Sequence, residues 1–296
     1  MRGGNACAGL RQLVRMITRE TVHRSPSVQV HFVRCRPHDG ACGPEEHAPA
    51  DLLVFPLRGV FIKHHAARSR VVADACHALL FSANQPYRVS HPVSGGDECL
   101  VLEPSAATLE ALRVGESACV PLEAPLIAQS RMLWHRLQRR IASALETEES
   151  ALHLFAATLR APVPGAPQRR LRSRGAEIVA ATQATLAAHP GEPWSLAALA
   201  QRVHSSPWHL ARTFRELAGA PLHRYQLRAR MAAALDEVLD SRRDLTTIGI
   251  TLGFSSHSHF TACFHASFGI TPSALRRGAR IPQIRKILTA GAAARP

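Results

Sequence analysis

Hydrophobic and polar positions follow two different periods along this chain, and the change falls near its middle. From Val28 onward apolar and polar residues alternate, as in S-V-Q-V-H-F-V-R-C, L-V-F-P-L-R-G-V-F-I-K-H-H, R-V-V-A-D and H-A-L-L-F-S. This is the two-residue repeat of strands with one buried face. Turn chemistry separates the runs at Pro37-His38-Asp39-Gly40, Asn84-Gln85-Pro86 and Ser94-Gly95-Gly96-Asp97. Short strands punctuated in this way predict a compact antiparallel β-barrel or jelly roll, a shape whose interior serves as a ligand pocket in small examples.

Beyond Pro125 the repeat lengthens to that of a helix. Ile127, Leu133 or Trp134, Leu137, Ile141 and Leu145 fall on one stripe, with Arg131, Arg136, Arg139 and Arg140 away from it. A second helix is predicted over 149–160, with Leu152, Phe155, Ala156 and Leu159 as its apolar face. Helices appended to a small barrel either cover it or pair with another subunit, and both roles require the same stripe. Residues 161–175, rich in proline and arginine and poor in apolar side chains, read as an exposed linker and mark a domain boundary.

The C-terminal part writes one device twice. A helix over 176–189 ends at Pro190-Gly191. Ser195 then caps a short helix whose Leu196, Leu199, Ala200 and Val203 face a core. A turn at His204-Ser205 leads to Ser206 as cap and Pro207 at the first helical position. The helix so opened, over 207–218, buries Leu210, Phe214 and Leu217 and exposes Trp208, His209, Ala211, Arg212 and Arg215. A long helix over 222–241 follows, with Tyr225, Leu227, Met231, Leu235, Val238 and Leu239 apolar. Asp244 or Thr246 caps the next short helix, Gly253 permits the turn, and Ser255-Ser256 open a second exposed helix. There Phe260, Phe264 and Phe268 recur every four residues as a core stripe, leaving His257, Ser258, Thr261, Ala262 and His265 outward. A short helix, a tight turn and a helix with one free face make a helix-turn-helix, whose second helix enters the major groove.

Charge sharpens this picture. The formal net charge of the 296-residue chain is +14. Residues 1–167 carry 18 Lys+Arg against 15 Asp+Glu, and residues 168–296 carry 18 against 7. The excess, +11, therefore lies with the paired helices and points to a polyanionic partner, nucleic acid before an acidic membrane surface. No run of eighteen apolar residues occurs, so no membrane span is predicted. The first 27 residues, with Arg11, Arg15 and Arg19 interrupting any export-signal core, are expected to be an extension without assigned function.

Catalytic chemistry is sparse. The seven cysteines are widely spaced without a C-x-x-C pair, an arrangement that suits free thiols in a reducing cytosol. Metal-binding jelly rolls usually present His-x-His, a following Glu and a later His, and that pattern is absent. His64 and His65 are neighbours, so on a strand they point to opposite faces. Cys35-x-x-His38, with Cys42 and His47 beyond, is the best alternative cluster but has no recognised ligand spacing. Neither a phosphate-binding glycine loop nor a nucleophile elbow appears. No catalytic residue, metal site or cofactor is expected.

G-F-S-S-H-S-H-F-T-A-C-F-H-A-S-F-G-I-T-P-S-A-L-R, from Gly253 to Arg276, closely resembles the signature of AraC/XylS-type bacterial transcriptional regulators. The upstream S-P-W-H-L-A-R-T-F-R-E-L-A-G resembles the first helix-turn-helix of the same domain, so the likeness covers about residues 176–277. G-V-F-I-K-H and Y-R-V-S-H-P-V-S-G-G-D-E-C are similar to the cupin-type sensor half of some members. The resemblance implies two reading helices in successive major-groove segments of double-stranded DNA. It places base contacts at Trp208, Ala211 and Arg212 in the first unit and His257, Ser258, Thr261 and Ala262 in the second, with Arg215 and His265 completing the exposed faces. Gly249 departs from the family's usual alanine, and His265 stands where Lys or Arg commonly meets phosphate. The second unit is accordingly expected to add weaker, pH-sensitive discrimination through His257 and His265.

Together these observations predict an α+β protein of two domains. An extension (1–27) precedes a cupin-like β-barrel or jelly roll with appended helices (28–160). The linker (161–175) leads to an all-α domain of two helix-turn-helix units joined by a long helix (176–281), followed by a tail (282–296). The function expected is sequence-specific DNA-binding regulation of transcription in the cytoplasm. Its implied partners are a small-molecule effector or a second copy of the chain through the N-terminal domain, and RNA polymerase if the regulator activates; a membrane is not among them. The alternatives are a cupin-type metal-dependent enzyme with an accessory DNA-binding domain, and a small-molecule binding protein whose basic half meets RNA or membrane.

Overall fold

The computed structural model describes residues 17–37, 42–65, 69–92, 95–112, 119–161 and 174–278. They form two compact units, one built from the chain up to Val120 together with Ser143–Leu159, the other from Pro121–Ala142 and the chain from Arg160 onward.

In the first unit ten strands, β1 (Ile17–Arg24), β2 (Val28–Cys35), β3 (Glu46–His47), β4 (Leu52–Gly59), β5 (Phe61–His65), β6 (Ser69–Ala73), β7 (His77–Phe81), β8 (Pro86–Ser90), β9 (Asp97–Pro104) and β10 (Cys119–Pro121), make two sheets. The larger has the order β1-β2-β9-β4-β7-β10 and the smaller β3-β8-β5-β6. Both contribute to one core: Leu52, Val54, Leu79, Phe81, Cys99 and Val101 from the larger sheet meet Phe61 and Ala73 from the smaller. That shared interior between two sheets makes a sandwich, the jelly-roll form of the predicted barrel or jelly roll, and the two-unit α+β architecture agrees with expectation. The interior is not wholly apolar. Lys63 is buried, donates to the Leu80 carbonyl at 2.9 Å and lies over the Phe81 ring, and burial holds its ammonium down to about 8.

Three expectations change in this unit. Residues 17–24 are not part of an extension but form β1, paired antiparallel with β2 from Ile17↔Cys35 to Arg24↔Gln29. Strand pairing supplies the order that a mostly exposed stretch with little apolar content could not signal. The predicted stripe from Ile127 to Leu145 is not one helix. α1 (Ala106–Leu112) is followed by α2 (Ala124–Gln138), which stops where Arg140 adopts a left-handed φ of 52°, leaving Ile141 and Leu145 60% and 75% exposed. α3 (Ala144–Arg160) starts afresh, because Ser143 and Glu146 cap each other's amides in a Ser-x-x-Glu box. Finally, α2 does not belong with the barrel.

The second unit comprises α2 together with α4 (Arg174–Ala188), α5 (Leu196–Arg202), α6 (Pro207–Ala218), α7 (Leu222–Asp240), α8 (Leu245–Thr251), α9 (His257–Phe268) and α10 (Pro272–Arg276). α4 begins inside the stretch read as linker, at Arg174; residues 162–173 of that linker and the tail lie outside the described residues. Two cores form. Ile178, Val179 and Leu186 of α4 pack with Leu199, Leu210, Phe214 and Tyr225. Met231, Leu235 and Val238 of α7 pack with Ile248, Phe254, Phe260, Phe264, Phe268 and Leu275, and Ala128 of α2 completes this second core. Each buried phenylalanine contributes about 1.5–3 kcal/mol, so the Phe stripe of α9 supplies a large share of that core's cohesion.

Polar ties fix α2 in place. Arg131 is 1% exposed, and its Nε lies 3.3 Å from Oδ1 of Asp236 on α7. Arg228 donates to Glu123 at 3.2 Å, and His135 bonds the Leu239 carbonyl at 3.0 Å. Asp236→Ala would leave a buried guanidinium without its carboxylate, so we expect a loss of about 3 kcal/mol in unfolding free energy. Asp236→Asn, which keeps the acceptor, should lose less. Urea unfolding of both variants measures the difference.

Candidate nucleic-acid interface

The two helix-turn-helix units are built by the same local chemistry. Ser195 caps α5 by accepting from the Ala198 amide, and Asp244 caps α8 by accepting from Thr246 and Thr247. Those amides, Thr247 foremost, hold the Asp244 carboxyl below its ordinary range. After each short helix the chain reverses through one left-handed residue, His204 (φ 50°) in the first unit and Gly253 (φ 78°) in the second. The next amide then reaches back: Ser205 N–H to the Ala200 carbonyl at 2.9 Å, Phe254 N–H to Gly249 at 3.0 Å. Ser206 and Ser256 cap the second helices on the amides of His209 and His259, and Gly219 and Gly269 end them in left-handed conformations.

Gly249 has a tertiary reason. A Cβ there would sit 2.9 Å from Cβ of Phe260, inside any normal carbon contact. Alanine would gain about 1 kcal/mol in helix propensity but would have to displace a fully buried ring, a strain of about 1–3 kcal/mol. The close approach of α8 to α9 decides for glycine.

On α6, Leu210 and Phe214 turn inward, while Trp208, Arg212 and Arg215 are exposed and Ala211 is half-buried. On α9, Phe260, Phe264 and Phe268 turn inward, with His257, Ser258, Ala262 and His265 exposed and Thr261 half-buried. All nine positions chosen from the sequence thus lie off the buried stripe of their helix. Within the two helix-turn-helix units Leu196 departs from the expected core stripe. It is 40% exposed in the first turn of α5 and lines an open groove of about 880 Å³ with Trp194, Trp208, Ala211, Arg212 and Arg215.

The side chains on α6 are arranged before any partner arrives. Arg212 donates from Nε to Glu216 Oε1 at 2.8 Å, one turn on, and its guanidinium lies 5.5 Å from the Trp208 ring centre. Glu216 stands four residues after Arg212, the spacing at which helical side chains meet, so this pairing is legible in the sequence. On α9, His257 lies 3.4 Å from the hydroxyls of both Thr246 and Thr261, at the limit of hydrogen bonding. His259, also exposed, is occupied by the Ser255 hydroxyl at 2.9 Å and by the edge of Phe254.

One arginine ties the turn of the second helix-turn-helix to the segment leading into the first. Arg230, on α7, donates to the carbonyls of Pro190 at 2.9 Å, Glu192 at 3.0 Å and Gly253 at 3.1 Å. The first two follow α4 and the third is the turn of the second unit. Burial lowers the guanidinium's pKa from its ordinary value. Gly191 and Gly253 allow the join, because a Cβ on Gly191 would meet the Thr251 carbonyl oxygen at 2.3 Å and one on Gly253 would meet the Gly191 oxygen at 2.6 Å. Only the tertiary contact reveals Arg230, since on the sequence it is one of several arginines on a helix.

A duplicated helix-turn-helix whose first exposed face is basic defines a class of DNA-binding protein, and comparison with known proteins agrees. A helix-turn-helix domain family matches residues 199–278. The HTH-type transcriptional activator AarP of Providencia stuartii is 35% identical over 82 residues, 28% of this chain and 61% of that protein. The probable transcription factor PqrA of Proteus vulgaris is 30% identical over 84 residues, 28% of this chain and 69% of that protein. A solved AraC-type transcriptional regulator from Chromobacterium violaceum aligns over 36% of this chain and 95% of its own, at 27% identity and a TM-score of 0.34. The chain belongs to the AraC-type family of helix-turn-helix transcriptional regulators. The match to AarP spans less than two thirds of that protein. Among the described residues no helix is long and apolar enough to cross a membrane.

Proposed function

We propose that this chain is a sequence-specific, non-enzymatic DNA-binding regulator of transcription, reading double-stranded DNA with α6 and α9. The supporting observation is the repetition of the whole device: Ser206 and Ser256, Leu210 and Phe260, Phe214 and Phe264, Gly219 and Gly269 hold counterpart places in the two helices. Arg212 is the strongest base reader, since a guanidinium pairs with both major-groove acceptors of guanine. Trp208 offers contact to a thymine methyl or sugar edge, and Arg215 a phosphate contact. Ala211, Ala262, Thr261 and Ser258 give small apolar or hydroxyl contacts, and His257 and His265 complete the weaker second face. The sandwich would exert control through a small-molecule effector or a dimer contact. RNA polymerase is the further partner if this chain activates, as AarP is named to do.

The test is footprinting and mobility shift at physiological salt on the promoter regions flanking its own gene. Protection of two major-groove segments about one helical turn apart (~34 Å) on one face of the DNA is expected. Binding no tighter than to random DNA would overturn the reading.

A further inference from the structure

The N-terminal unit contains a cluster that the DNA-binding reading leaves unused. In the register of β2 and β9, Cys35 stands directly opposite Asp97. His91, one residue past the end of β8 in the other sheet, places Nε2 2.5 Å from Oδ1 of Asp97. The Cys35 thiol, the His91 imidazole and the Asp97 carboxylate each offer one donor atom, and the three atoms lie within 4.8 Å of one another. Asp97's other oxygen accepts from the Cys99 thiol at 3.1 Å. His91, Asp97 and Cys99 are all buried and Cys35 is half-buried.

Backbone contacts build this corner tightly. Gly96 has a φ of 73°, and a Cβ there would fall 1.9 Å from the Cys35 carbonyl oxygen. Gly59, at φ 78°, would place a Cβ 2.1 Å from the Gly96 oxygen. Two glycines are thus needed to press the Asp97 backbone against the end of β2. This is the Ser-Gly-Gly-Asp-x-Cys stretch, read from sequence as a turn. No metal site was expected from the sequence, and the best alternative cluster there, Cys35 with His38, Cys42 and His47, is not the grouping seen among the described residues: His38 lies outside them, and Cys35 meets His91 and Asp97.

We propose that Cys35, His91 and Asp97 form a metal site in the N-terminal unit, with zinc as the ion. A thiolate, an imidazole and a carboxylate are all zinc ligands, and the sulfur disfavours magnesium and calcium. Bond lengths of ~2.0–2.3 Å place tetrahedral donors ~3.3–3.7 Å apart. The His91–Asp97 contact opens slightly to admit the ion, and the Cys35 sulfur closes in. On binding, the Cys35 proton passes to solvent, and the two negative charges of thiolate and carboxylate balance the dication. Cys99 orients the carboxylate through its free oxygen. Three protein ligands leave a fourth position for water, and the ion ties the two sheets together across their mouth.

The experiment uses the full-length protein, stripped with chelator and then titrated with zinc or cobalt alone. One zinc per chain, a rise in Tm on zinc addition, and a thiolate-to-cobalt charge-transfer band in the near ultraviolet are expected. Cys35→Ser should abolish the band and weaken zinc at least 100-fold; His91→Gln should also weaken zinc, while Cys42→Ser and Cys263→Ser should change neither. Substoichiometric zinc at saturation, or a wild-type cobalt complex without the band, would overturn the site. So would a folded Cys35→Ser protein that binds as wild type does. If Cys35→Ser fails to fold, the wild-type band and stoichiometry decide. None of these readouts depends on DNA.

Discussion

Arg230→Ala is expected to lower affinity for a two-segment operator by about 100-fold while leaving binding to a single segment nearly unchanged. Its guanidinium holds two carbonyls of the segment leading into the first helix-turn-helix and one in the turn of the second, and hydrogen bonds from a charged donor are worth about 1.5–3 kcal/mol each. The acceptors lie near solvent and can be rehydrated, so about 3 kcal/mol of coupling is lost rather than the full sum, and 1.4 kcal/mol is tenfold in affinity. The loss falls on simultaneous engagement: two reading helices held rigidly at the groove repeat act as one ligand, and a loosened pair pays ordering entropy on binding. Mobility shifts on operators with one to three base pairs inserted between the segments isolate this role. Wild type should lose binding steeply with each insertion, and Arg230→Ala should show a flatter dependence. Arg230→Lys, with one ammonium for three divergent carbonyls, should resemble the alanine variant. Parallel spacing profiles for wild type and Arg230→Ala would show that Arg230 does not set the geometry.

Arg212→Ala should cost about 1–3 kcal/mol in operator binding and relax the preference at one base pair. A phosphate anchor would instead weaken all sequences alike and reduce the salt dependence. Glu216 makes a second, opposite measurement possible. Its carboxylate holds Arg212 Nε at 2.8 Å on a face where both residues are more than half exposed, so the pair itself adds little stability. It matters by keeping the guanidinium in one orientation and by placing a negative charge near the phosphates. Glu216→Gln is therefore expected to raise affinity for random DNA several-fold while lowering the ratio of operator to random binding. Competition mobility shifts with wild type, each single variant and the double variant would expose the coupling. An unchanged specificity ratio in Glu216→Gln would mean that Arg212 needs no orienting partner.

The asymmetry between the two units sharpens on the same counterpart positions. Arg212 in α6 corresponds to Ala262 in α9, and Arg215 to His265. The first helix carries the charge and the aromatic ring, whereas the second carries small side chains over a core of three phenylalanines. Affinity on this reading resides mainly in the first unit.

Much of this was written locally. Caps and turns are short-range chemistry, so Ser195, Ser206, Pro207, Asp244, Gly253 and Ser256 marked the helix-turn-helix boundaries from sequence. The four-residue recurrence of Phe260, Phe264 and Phe268 decides which face of α9 is buried and therefore which face is left exposed. The two-residue alternation likewise announced a compact β-barrel or jelly roll. Periodicity and capping report the backbone's own conformation and the side a residue must hide, and those are properties of neighbours along the chain.

What the sequence left open depended on partners distant along it. β1 is ordered by pairing with β2, not by its own composition. α2 looked like an appendage of the sandwich, but its Ala128 and Arg131 belong to the core and the buried ion pair of the DNA-binding unit. Leu196 matched the core stripe, yet its place in the first turn of a short helix leaves it in a groove. Gly249, Arg230 and the meeting of Cys35, His91 and Asp97 could be explained only by the groups each one faces. Local periodicity determined which elements form and which way they face; the tertiary structure alone decided which elements meet, because close approach and convergent donors are set by packing between segments that the sequence keeps far apart.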